Sequence, residues 1–431
     1  MILFDGVTYD SSEQERLLNE LEKRIPVILA TKRLDPEIVI DAVDKLRIDT
    51  VAGRFDDLLT EFPKDMAEDY KAQALVLLSR DFLKLKLRTE LGNTEEYVTD
   101  PISGFPQIRV RKVPLGVLFH ISAGNMDFLP AYSLAEGLLT GNINILKLPS
   151  ADNGLSLKLI MQLIEYRPEL KDFIYVFDTA STDIQGMRKM AELSNAVSVW
   201  GSDMAIEAVR GLAPTGVKII EWGQKLGFCY ISNLSEVPDA DKELEGLAHH
   251  IATTKQLLCS SCQVIYINSE DMNEVRGFAD RFLPVLEKAA NEHATGEIGI
   301  RARDTLSSYT RRLKAYLGDE EKNDNVLRGR GVSVIISEDS KLELSPMMCN
   351  VLVKPLPEGR IGQTLYANRN YLQTAGLICP SRERGKLIEV LINGGLVRVT
   401  KASDMSAYFP GECHDGEYAL NRYMRTVNIE E

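Results

Sequence analysis

The pattern of hydrophobic and polar positions changes once along the chain, near residue 100. Before that point the apolar residues recur at helical spacing, and residues 11–25, SSEQERLLNELEKRI, open with a Ser/Glu capping pattern. Residues 65–92 keep this spacing up to Gly92, a residue type that commonly terminates helices. The first hundred residues are therefore predicted to be helical.

Beyond residue 100 the chain shows short apolar runs separated by helical segments. The predicted strands are QIRVRKV (107–113), GVLFHIS (116–122), INILKL (143–148), FIYVFD (173–178), AVSVW (196–200) and VKIIE (217–221). The predicted helices are Met126–Leu139, Asp152–Tyr166, Thr182–Leu193 and Ser202–Leu212. Strands that alternate with helices indicate right-handed crossovers and a parallel sheet covered on both faces.

A second α/β segment follows a polar stretch, Asn233–Glu243, which contains a proline and is the predicted domain boundary. Past it the pattern predicts a strand at 262–268 and a long helix at 270–293. Further strands are predicted within 322–336 and at 348–356. The whole chain is thus predicted to be an α/β protein with two parallel sheets and a helical N-terminal region.

Composition narrows the class of protein. The 431 residues are too many for one core, and 44% hydrophobic with 26% charged residues is an ordinary globular balance. The net charge of −13 argues against nucleic acid as a partner. The sequence shows no secretory leader and no apolar run of about 18 residues, and its six cysteines are too sparse for a disulfide scaffold. We therefore expect a cytoplasmic protein that does not bind membranes.

The standard nucleotide-binding fingerprints are absent. No G-x-G-x-x-G follows the first strand, and no G-x-x-x-x-G-K-[ST] occurs anywhere in the chain. If the first sheet binds a nucleotide, it does so by another arrangement.

Two cysteines, Cys259 and Cys262, stand in the segment KQLLCSSCQVIYIN. A zinc site needs about four ligands, and the only nearby imidazoles are His249 and His250. A thioredoxin-like pair belongs at a helix N-terminus, whereas Cys262 runs into a predicted strand. Two small buried hydrophobic residues remain a fair alternative, so this stretch alone leaves its chemistry open.

Polar residues follow the predicted strands where ligands bind in open α/β sheets. One strand ends in Ser122–Asn125 and the next in Lys147, which suits a ribose hydroxyl or a phosphate. The alternatives are a helix cap for Asn125 and a solvated strand end for Lys147. Gly201–Ser202 opens a helix whose N-terminus could seat a phosphate, and a further strand ends in Glu221.

Taken in order, these stretches resemble the aldehyde dehydrogenase superfamily, which binds nicotinamide dinucleotides without the usual fingerprint. The matching segments are PLGVLFHISAGN…GLLTGNINILKLPS, WGSDMAIEAV, IIEWGQK and QLLCSSCQVIYI. The acyl-CoA reductase branch, the LuxC-type fatty-acid reductases of bacterial bioluminescence, is more similar still. Three segments of this chain, from about residue 80 onward, resemble that branch: LKLKLRTELG, QLLCSSCQ and YLQTAGLICPSRERGKLIEVLINGGLVRVTKASDMS…HDG. In the second segment, Cys262 replaces a proline of the family pattern.

The resemblance implies a role for each candidate residue. Cys259 would be the nucleophile and Cys262 a bystander, while Asn125 and the Cys259 backbone N–H would hold the oxyanion. Glu221 matches the glutamate that activates water in aldehyde-oxidising relatives.

The implied cofactor-binding residues lie in the first α/β segment: Ser122, Lys147, Ser150, Gly201, Ser202 and Gly223. Lys147 would hold the adenosine ribose, and Gly201–Ser202 the pyrophosphate. NAD-preferring relatives often carry a glutamate where this chain has Ser150, so the resemblance favours NADPH, with NADH as the alternative.

The implied function is reduction of an acyl-CoA or other activated acyl thioester to an aldehyde. Oxidation of free aldehydes, with Glu221 as the active base, is one alternative. A non-redox subunit that accepts acyl groups within a multienzyme complex is another. No metal is expected, whereas an acyl-activating or acyl-transferring protein and a homo-oligomeric state are.

The implied division of the chain has four parts. Residues 1–95 form a helical part on the cofactor domain, 96–240 the dinucleotide-binding domain and 241–375 the catalytic cysteine domain. Residues 376–431 return to the cofactor domain or to an oligomer interface.

Overall fold

The computed structural model describes residues 1–59, 68, 71–72, 75–92, 96–122, 129–149, 154–293 and 325–430. Its helices are α1 (Gln14–Thr31), α2 (Pro36–Val51), α3 (Asp56–Leu59), α4 (Arg80–Leu91), α5 (Leu129–Leu139), α6 (Leu155–Tyr166), α7 (Ile184–Glu192), α8 (Asp203–Leu212), α9 (Ala240–Thr254), α10 (Met272–Glu292), α11 (Ile361–Tyr366), α12 (Ser381–Asn393) and α13 (Ala419–Arg422). Hydrogen bonds to N-cap side chains fix where several of these helices begin. Asp35 accepts from the Glu37 N–H ahead of α2, and Ser79 accepts from the Phe82 N–H ahead of α4.

The strands fall into three sheets. They are β1 (Ile2–Phe4), β2 (Val7–Tyr9), β3 (Tyr97–Val98), β4 (Arg109–Pro114), β5 (Val117–Ile121), β6 (Ile143–Lys147), β7 (Ile174–Phe177), β8 (Ala196–Trp200), β9 (Lys218–Trp222), β10 (Leu226–Ile231), β11 (Cys262–Ile267), β12 (Val326–Gly329), β13 (Val332–Ile336), β14 (Asn350–Pro355), β15 (Leu372–Ile378), β16 (Arg398–Thr400) and β17 (Met424–Ile429). The chain forms two compact units, residues 1–223 with 409–431, and residues 224–408. We call them the first and the second unit.

The first unit contains a seven-stranded sheet in the order β2-β1-β7-β6-β5-β8-β9. Strands β5 to β9 run parallel, so the carboxyl ends of β5, β6, β8 and β9 lie at one edge. The register places Ile121 beside Lys147 and Val199 beside Glu221. Every residue of β6 and β7 is buried, as expected for parallel strands covered on both faces.

The C-terminal segment completes the first unit. Strand β17 pairs antiparallel with β4, which also pairs with β3. Ahead of it, the fully buried Tyr423 hydroxyl lies 3.1 Å from Ser198 Oγ, and the Leu420 N–H donates to Glu90 Oε2 at 2.8 Å. Residues 409–431 are therefore anchored to this unit by strand pairing and by buried hydrogen bonds.

The second unit contains a sheet in the order β12-β13-β14-β11-β10-β15-β16. Among its described strands, β12 pairs antiparallel with β13 and the other pairs are parallel. Helices α9 and α10 pack on one face, with Leu247, Ile251 and Phe282 fully buried in the core. Strand β11 therefore lies in the middle of a sheet, and the turn that enters it is held by neighbours on both sides.

The predicted fold class is confirmed, and strands β4 to β9, β11, β13 and β14 lie where the hydrophobic pattern puts them. The N-terminal hairpin β1–β2 was not predicted. Its two strands are only three residues long, yet it joins the first sheet through Leu3 beside Val176. The helix predicted over 65–92 falls partly outside the described residues, and α4 is its described part. The boundaries at 95, 240 and 375 stay predictions.

None of the helices in the described part of the chain is long and apolar enough to cross a membrane.

Candidate active site

Two buried polar groups stand at neighbouring strand ends of the first unit. Ser122 directly follows β5; it is 6% exposed, and its Oγ has no hydrogen-bond partner among the described residues. Lys147 ends β6 and is 5% exposed, and burial lowers the pKa of its amine. No described side chain forms an ion pair with this amine. A buried hydroxyl without a described partner is costly, and the next strand of the sheet ends in a largely buried lysine without a described ion pair, which marks this edge as a place for a polar ligand.

The Gly201–Ser202 pair opens α8 at the end of β8. Ser202 is the N-cap, and its Oγ accepts from the Ala205 N–H at 3.5 Å. The Gly201 N–H donates to the Trp222 carbonyl at 3.2 Å, which ties the turn to β9. The first N–H groups of α8 therefore face the same sheet edge as Ser122 and Lys147.

Glu221 lies on the edge strand β9 and makes a two-pronged ion pair with Arg210 of α8. Arg210 Nε donates to Glu221 Oε1 at 2.5 Å, and Nη2 donates to Oε2 at 2.7 Å. Both carboxylate oxygens are thus occupied by a guanidinium. Gly223 directly follows β9, and a Cβ on it would lie 3.0 Å from Ile206 Cδ1. The glycine therefore allows β9 to pack tightly against α8.

An aromatic cluster of Trp200, Trp222 and His414 borders this edge and was not predicted from the sequence. The two indoles stack with centroids 5.2 Å apart, and the imidazole lies 5.1 Å from one ring and 5.2 Å from the other. Trp222 Nε1 donates to Ser198 Oγ at 3.2 Å, whereas the buried Trp200 Nε1 has no described partner. These are the only tryptophans in the sequence.

Cys259 lies in the second unit, in the turn between α9 and β11. Its thiol is half-buried, and the Gln373 side-chain amide donates to Sγ at 3.3 Å. Ser261 Oγ accepts from the Leu258 N–H at 3.1 Å, and Ser260 Oγ lies 2.9 Å from Ser406 Oγ. The turn is therefore fixed on both sides of the cysteine.

A buried amide network lies beneath this turn. Gln256 is fully buried, and its Nε2 donates to the Cys262 carbonyl at 3.0 Å and to Ser345 Oγ at 2.9 Å. Gln263 Nε2 donates to the Gln256 carbonyl at 2.9 Å, and its Oε1 accepts from Ser345 Oγ at 2.8 Å. These bonds join the start of the turn to β11 and to the segment before β14.

The backbone around the turn is strained. Lys255 and Gln256 have φ of 48° and 63°, a region that non-glycine residues rarely enter. Opposite them, Met347, Met348 and Cys349 also have positive φ, and the Met348 N–H donates to the Lys255 carbonyl at 2.9 Å. Such strain persists only where the surroundings enforce it, and it clusters at functional sites.

Cys262 differs sharply from Cys259. It is fully buried as the first residue of β11, and burial raises the pKa of its thiol to about 12. Its N–H donates to His250 Nε2 at 3.2 Å, and burial lowers the pKa of His250 to about 4. The described residues contain no group of three or more His, Cys, Asp or Glu side chains placed to hold a metal ion. At neutral pH Cys262 therefore remains a thiol beside a neutral imidazole.

Two predicted site residues, Asn125 and Ser150, lie outside the described residues. Ser122, Lys147, Gly201, Ser202, Glu221 and Gly223 come together along the sheet edge of the first unit. Cys259 belongs to the second unit.

The two sheets and their order define the aldehyde dehydrogenase fold. A betaine aldehyde dehydrogenase from Staphylococcus aureus, in complex with NAD⁺, matches 97% of this chain and 87% of its own chain with a TM-score of 0.71 and 15% identity. Lactaldehyde dehydrogenase from Escherichia coli matches 97% of this chain and 91% of its own, with a TM-score of 0.66 and 15% identity. At these identities the likeness establishes the fold alone.

The family is established by sequence. Residues 39–426 match the family described as acyl-CoA reductase (LuxC), and the chain belongs to that family. The long-chain acyl-protein thioester reductases of Aliivibrio fischeri and Photobacterium phosphoreum are 24% and 22% identical to it. Each match covers 83% of this chain, and 72% and 71% of the two relatives. The chain is therefore an oxidoreductase of the acyl thioester reductase class, as the sequence motifs predicted.

Proposed function

We propose that the protein reduces an acyl-CoA, or another activated acyl thioester, to an aldehyde through an acyl-enzyme on Cys259. The main observation behind this proposal is that Cys259 and Cys262 differ in exposure and in protonation. Cys259 is half-buried in a braced turn with an amide on its sulfur, whereas Cys262 is fully buried and remains protonated. Only a thiolate that substrate can reach is a competent nucleophile.

The first half of the reaction needs no cofactor. The Cys259 sulfur attacks the thioester carbonyl carbon, a C–S bond to the enzyme forms, and the bond to the CoA sulfur breaks. Thioester exchange is nearly balanced in energy, so it needs no strong base. The Asn125 amide and the Cys259 N–H are the proposed donors to the negative oxygen of each tetrahedral species.

The second half needs a hydride, which a bound nicotinamide cofactor supplies. The Ser122 hydroxyl, which has no partner among the described residues, and the Lys147 amine, which has no described ion pair, fit a ribose at this edge. Gly201, Ser202 and Gly223 form the start of α8 and its packing against β9, which suits a pyrophosphate. Ser150 carries no charge to repel a 2′-phosphate, so NADPH is the proposed cofactor.

Glu221 has a restricted role in this proposal. A glutamate free to activate water would hydrolyse the acyl-enzyme instead of allowing its reduction. The ion pair with Arg210 occupies both oxygens of Glu221, which supports reduction over oxidation of free aldehydes. Glu221 then either transfers protons at the thiol or holds α8 against β9.

The acyl donor is proposed to be acyl-CoA or an acyl group carried on a protein. The curated relatives are named for acyl-protein thioesters, which supports a protein that transfers acyl groups as a partner. Leu257 and Leu258 are exposed immediately before Cys259, and apolar side chains beside the nucleophile suit an acyl chain. Assembly into a homo-oligomer is part of the same proposal.

The test follows nicotinamide absorbance in the presence of NADPH or NADH, a panel of acyl-CoAs and reductant. We expect thioester-dependent cofactor oxidation that disappears in Cys259→Ala and persists in Cys262→Ala, the matched control. Reduction of NAD(P)⁺ on adding free aldehydes, without thioester-dependent oxidation, would instead identify a dehydrogenase. Acyl transfer to Cys259 with no cofactor turnover would identify a non-redox acyl-accepting subunit.

A further inference from the structure

The Gln373 side chain lies against the proposed nucleophile, 114 positions away in sequence. Its Nε2 is 3.3 Å from Cys259 Sγ, and the residue is only 6% exposed. A nearly buried amide aimed at a cysteine sulfur has given up hydration, so the contact to sulfur replaces part of what it lost.

The fold holds this amide in place. Gln373 is the second residue of β15, which pairs with β10 on one side and with β16 on the other. The fully buried Thr374 donates through Oγ1 to Gln373 Oε1 at 3.4 Å. With Oε1 engaged as an acceptor, the amide N–H groups are the part of the side chain that faces the sulfur.

The imidazole of His250 does not serve as a base for Cys259. His250 Nε2 already accepts the Cys262 N–H, and its low pKa keeps it neutral at physiological pH. His250 is therefore not positioned to take the Cys259 proton through that nitrogen. A neutral amide donates to a thiolate but cannot accept a proton from water, which is the property that a reductase with a hydrolysable acyl-enzyme needs.

We propose that Gln373 is a catalytic residue that holds Cys259 as a thiolate by donating an N–H to its sulfur. This rests on the proposed function in taking Cys259 as the nucleophile. The amide neither gains nor loses a proton. The cysteine proton has already left to solvent, so attack forms a C–S bond between Cys259 and the acyl group, breaks the C–S bond to the carrier, and releases the carrier (CoA or the acyl-carrying protein) as a thiolate. A hydrogen bond to a charged partner of this kind is worth about a tenfold change in the thiolate equilibrium.

The test measures the rate of Cys259 alkylation by iodoacetamide as a function of pH, following the Cys259 peptide by mass spectrometry. In the unmodified protein we expect a midpoint below about 8.5, the value for an ordinary thiol. Gln373→Met, which keeps the shape and removes the donor, should shift the midpoint to higher pH and slow alkylation at pH 7 by about tenfold. Gln373→Glu should shift it further, because an anion then faces the thiolate.

Gln363→Met is the matched control, since Gln363 is exposed on α11 and its replacement should leave the profile unchanged. A midpoint at or above 8.5 in the unmodified protein would overturn the proposal, as would unchanged profiles in either folded Gln373 variant. Alkylation needs neither acyl donor nor cofactor. A shifted profile in a protein without thioester-dependent turnover would therefore contradict the reductase while upholding the amide–thiolate contact.

Discussion

At the scale of single residues, the surroundings of Lys147 are the clearest indication of a ligand-binding site. The residue is 5% exposed, no described side chain forms an ion pair with its amine, and burial lowers the pKa of that amine. The neighbouring Ser122 hydroxyl is buried without a described partner as well. Proteins retain uncompensated buried polar groups mainly where function uses them, and a ribose hydroxyl would satisfy both groups.

Replacing this lysine should weaken cofactor binding. We expect Lys147→Met to raise the dissociation constant for NADPH by about tenfold, because a charged hydrogen bond to the ribose is lost. Quenching of tryptophan fluorescence measures the binding, since both indoles stack in the aromatic cluster at the same sheet edge. Lys158→Met is the control, because Lys158 is exposed on α6. Equal affinities in all three proteins would show that Lys147 does not contact the cofactor.

The contacts that matter most at this scale join residues far apart in the chain, and these the sequence could not predict. Gln373 reaches Cys259 across 114 positions. Arg210 holds Glu221 through helix-to-strand packing that no spacing rule indicates. The residue types at strand ends were predictable because parallel strands place their carboxyl ends together, whereas the partner of each side chain depends on tertiary packing.

At the scale of elements, the turn from α9 into β11 matters most in the second unit, because it contains the proposed nucleophile Cys259. The amide network of Gln256, Gln263 and Ser345 braces it from beneath. Strand β10 braces it from the side, because a Cβ on Gly227 would lie 2.6 Å from the Ser261 carbonyl oxygen and 2.8 Å from that of Ser260. Backbone approaches this close are available only to glycine.

Gly227→Ala should therefore displace the turn. We expect a loss of about 1–3 kcal/mol in the free energy of unfolding from overpacking, and a loss of about a hundredfold in thioester reductase activity from the moved sulfur. Urea unfolding and steady-state kinetics measure the two effects.

The control for Gly227 is Gly277→Ala in the exposed middle of α10, where an added Cβ meets nothing within 4 Å. That change should stabilise the protein by about 0.5–1 kcal/mol and leave activity intact. Full activity in Gly227→Ala would show that the turn does not depend on this close approach.

Element types were largely predictable from the hydrophobic period, and element details were not. Buried runs such as FIYVFD and AVSVW became β7 and β8 because parallel strands covered on both faces are continuously apolar. The hairpin β1–β2 escaped prediction because two three-residue strands show no usable period. Positive φ at Lys255 and Gln256 was equally hidden, since neither residue type signals it.

At the scale of the whole molecule, each unit contains one fully neutral buried histidine. His120 in the first unit donates from Nε2 to Asn144 Oδ1 at 3.0 Å, and its Nδ1 accepts from Ser133 Oγ at 2.8 Å. Burial lowers its pKa to about 4, as it does for His250 in the second unit, where His249 and Arg398 add charge repulsion. Both units therefore resist protonation that the unfolded chain accepts near pH 6.5.

This difference makes stability depend on pH. Because the folded pKa lies below the unfolded one, the unfolded chain binds more protons as pH falls from about 6.5 to 4, and stability falls over that range. Each histidine should lower the free energy of unfolding by about 2 kcal/mol at pH 5 relative to pH 7.5. Urea unfolding at a series of pH values, in the unmodified protein and in His120→Gln and His250→Gln, measures this. Each variant should show a flatter profile, and profiles as steep as in the unmodified protein would refute the assignment.

The measurement that tests the reductase most directly is mass spectrometry of the protein after brief exposure to an acyl-CoA without cofactor, at neutral pH in the presence of reductant. We expect the mass of one acyl group on the Cys259 peptide, released as aldehyde when NADPH is added. The adduct should be absent in Cys259→Ala and present in Cys262→Ala. An adduct on Cys262, or aldehyde formed from Cys259→Ala at the normal rate, would contradict Cys259 as the nucleophile.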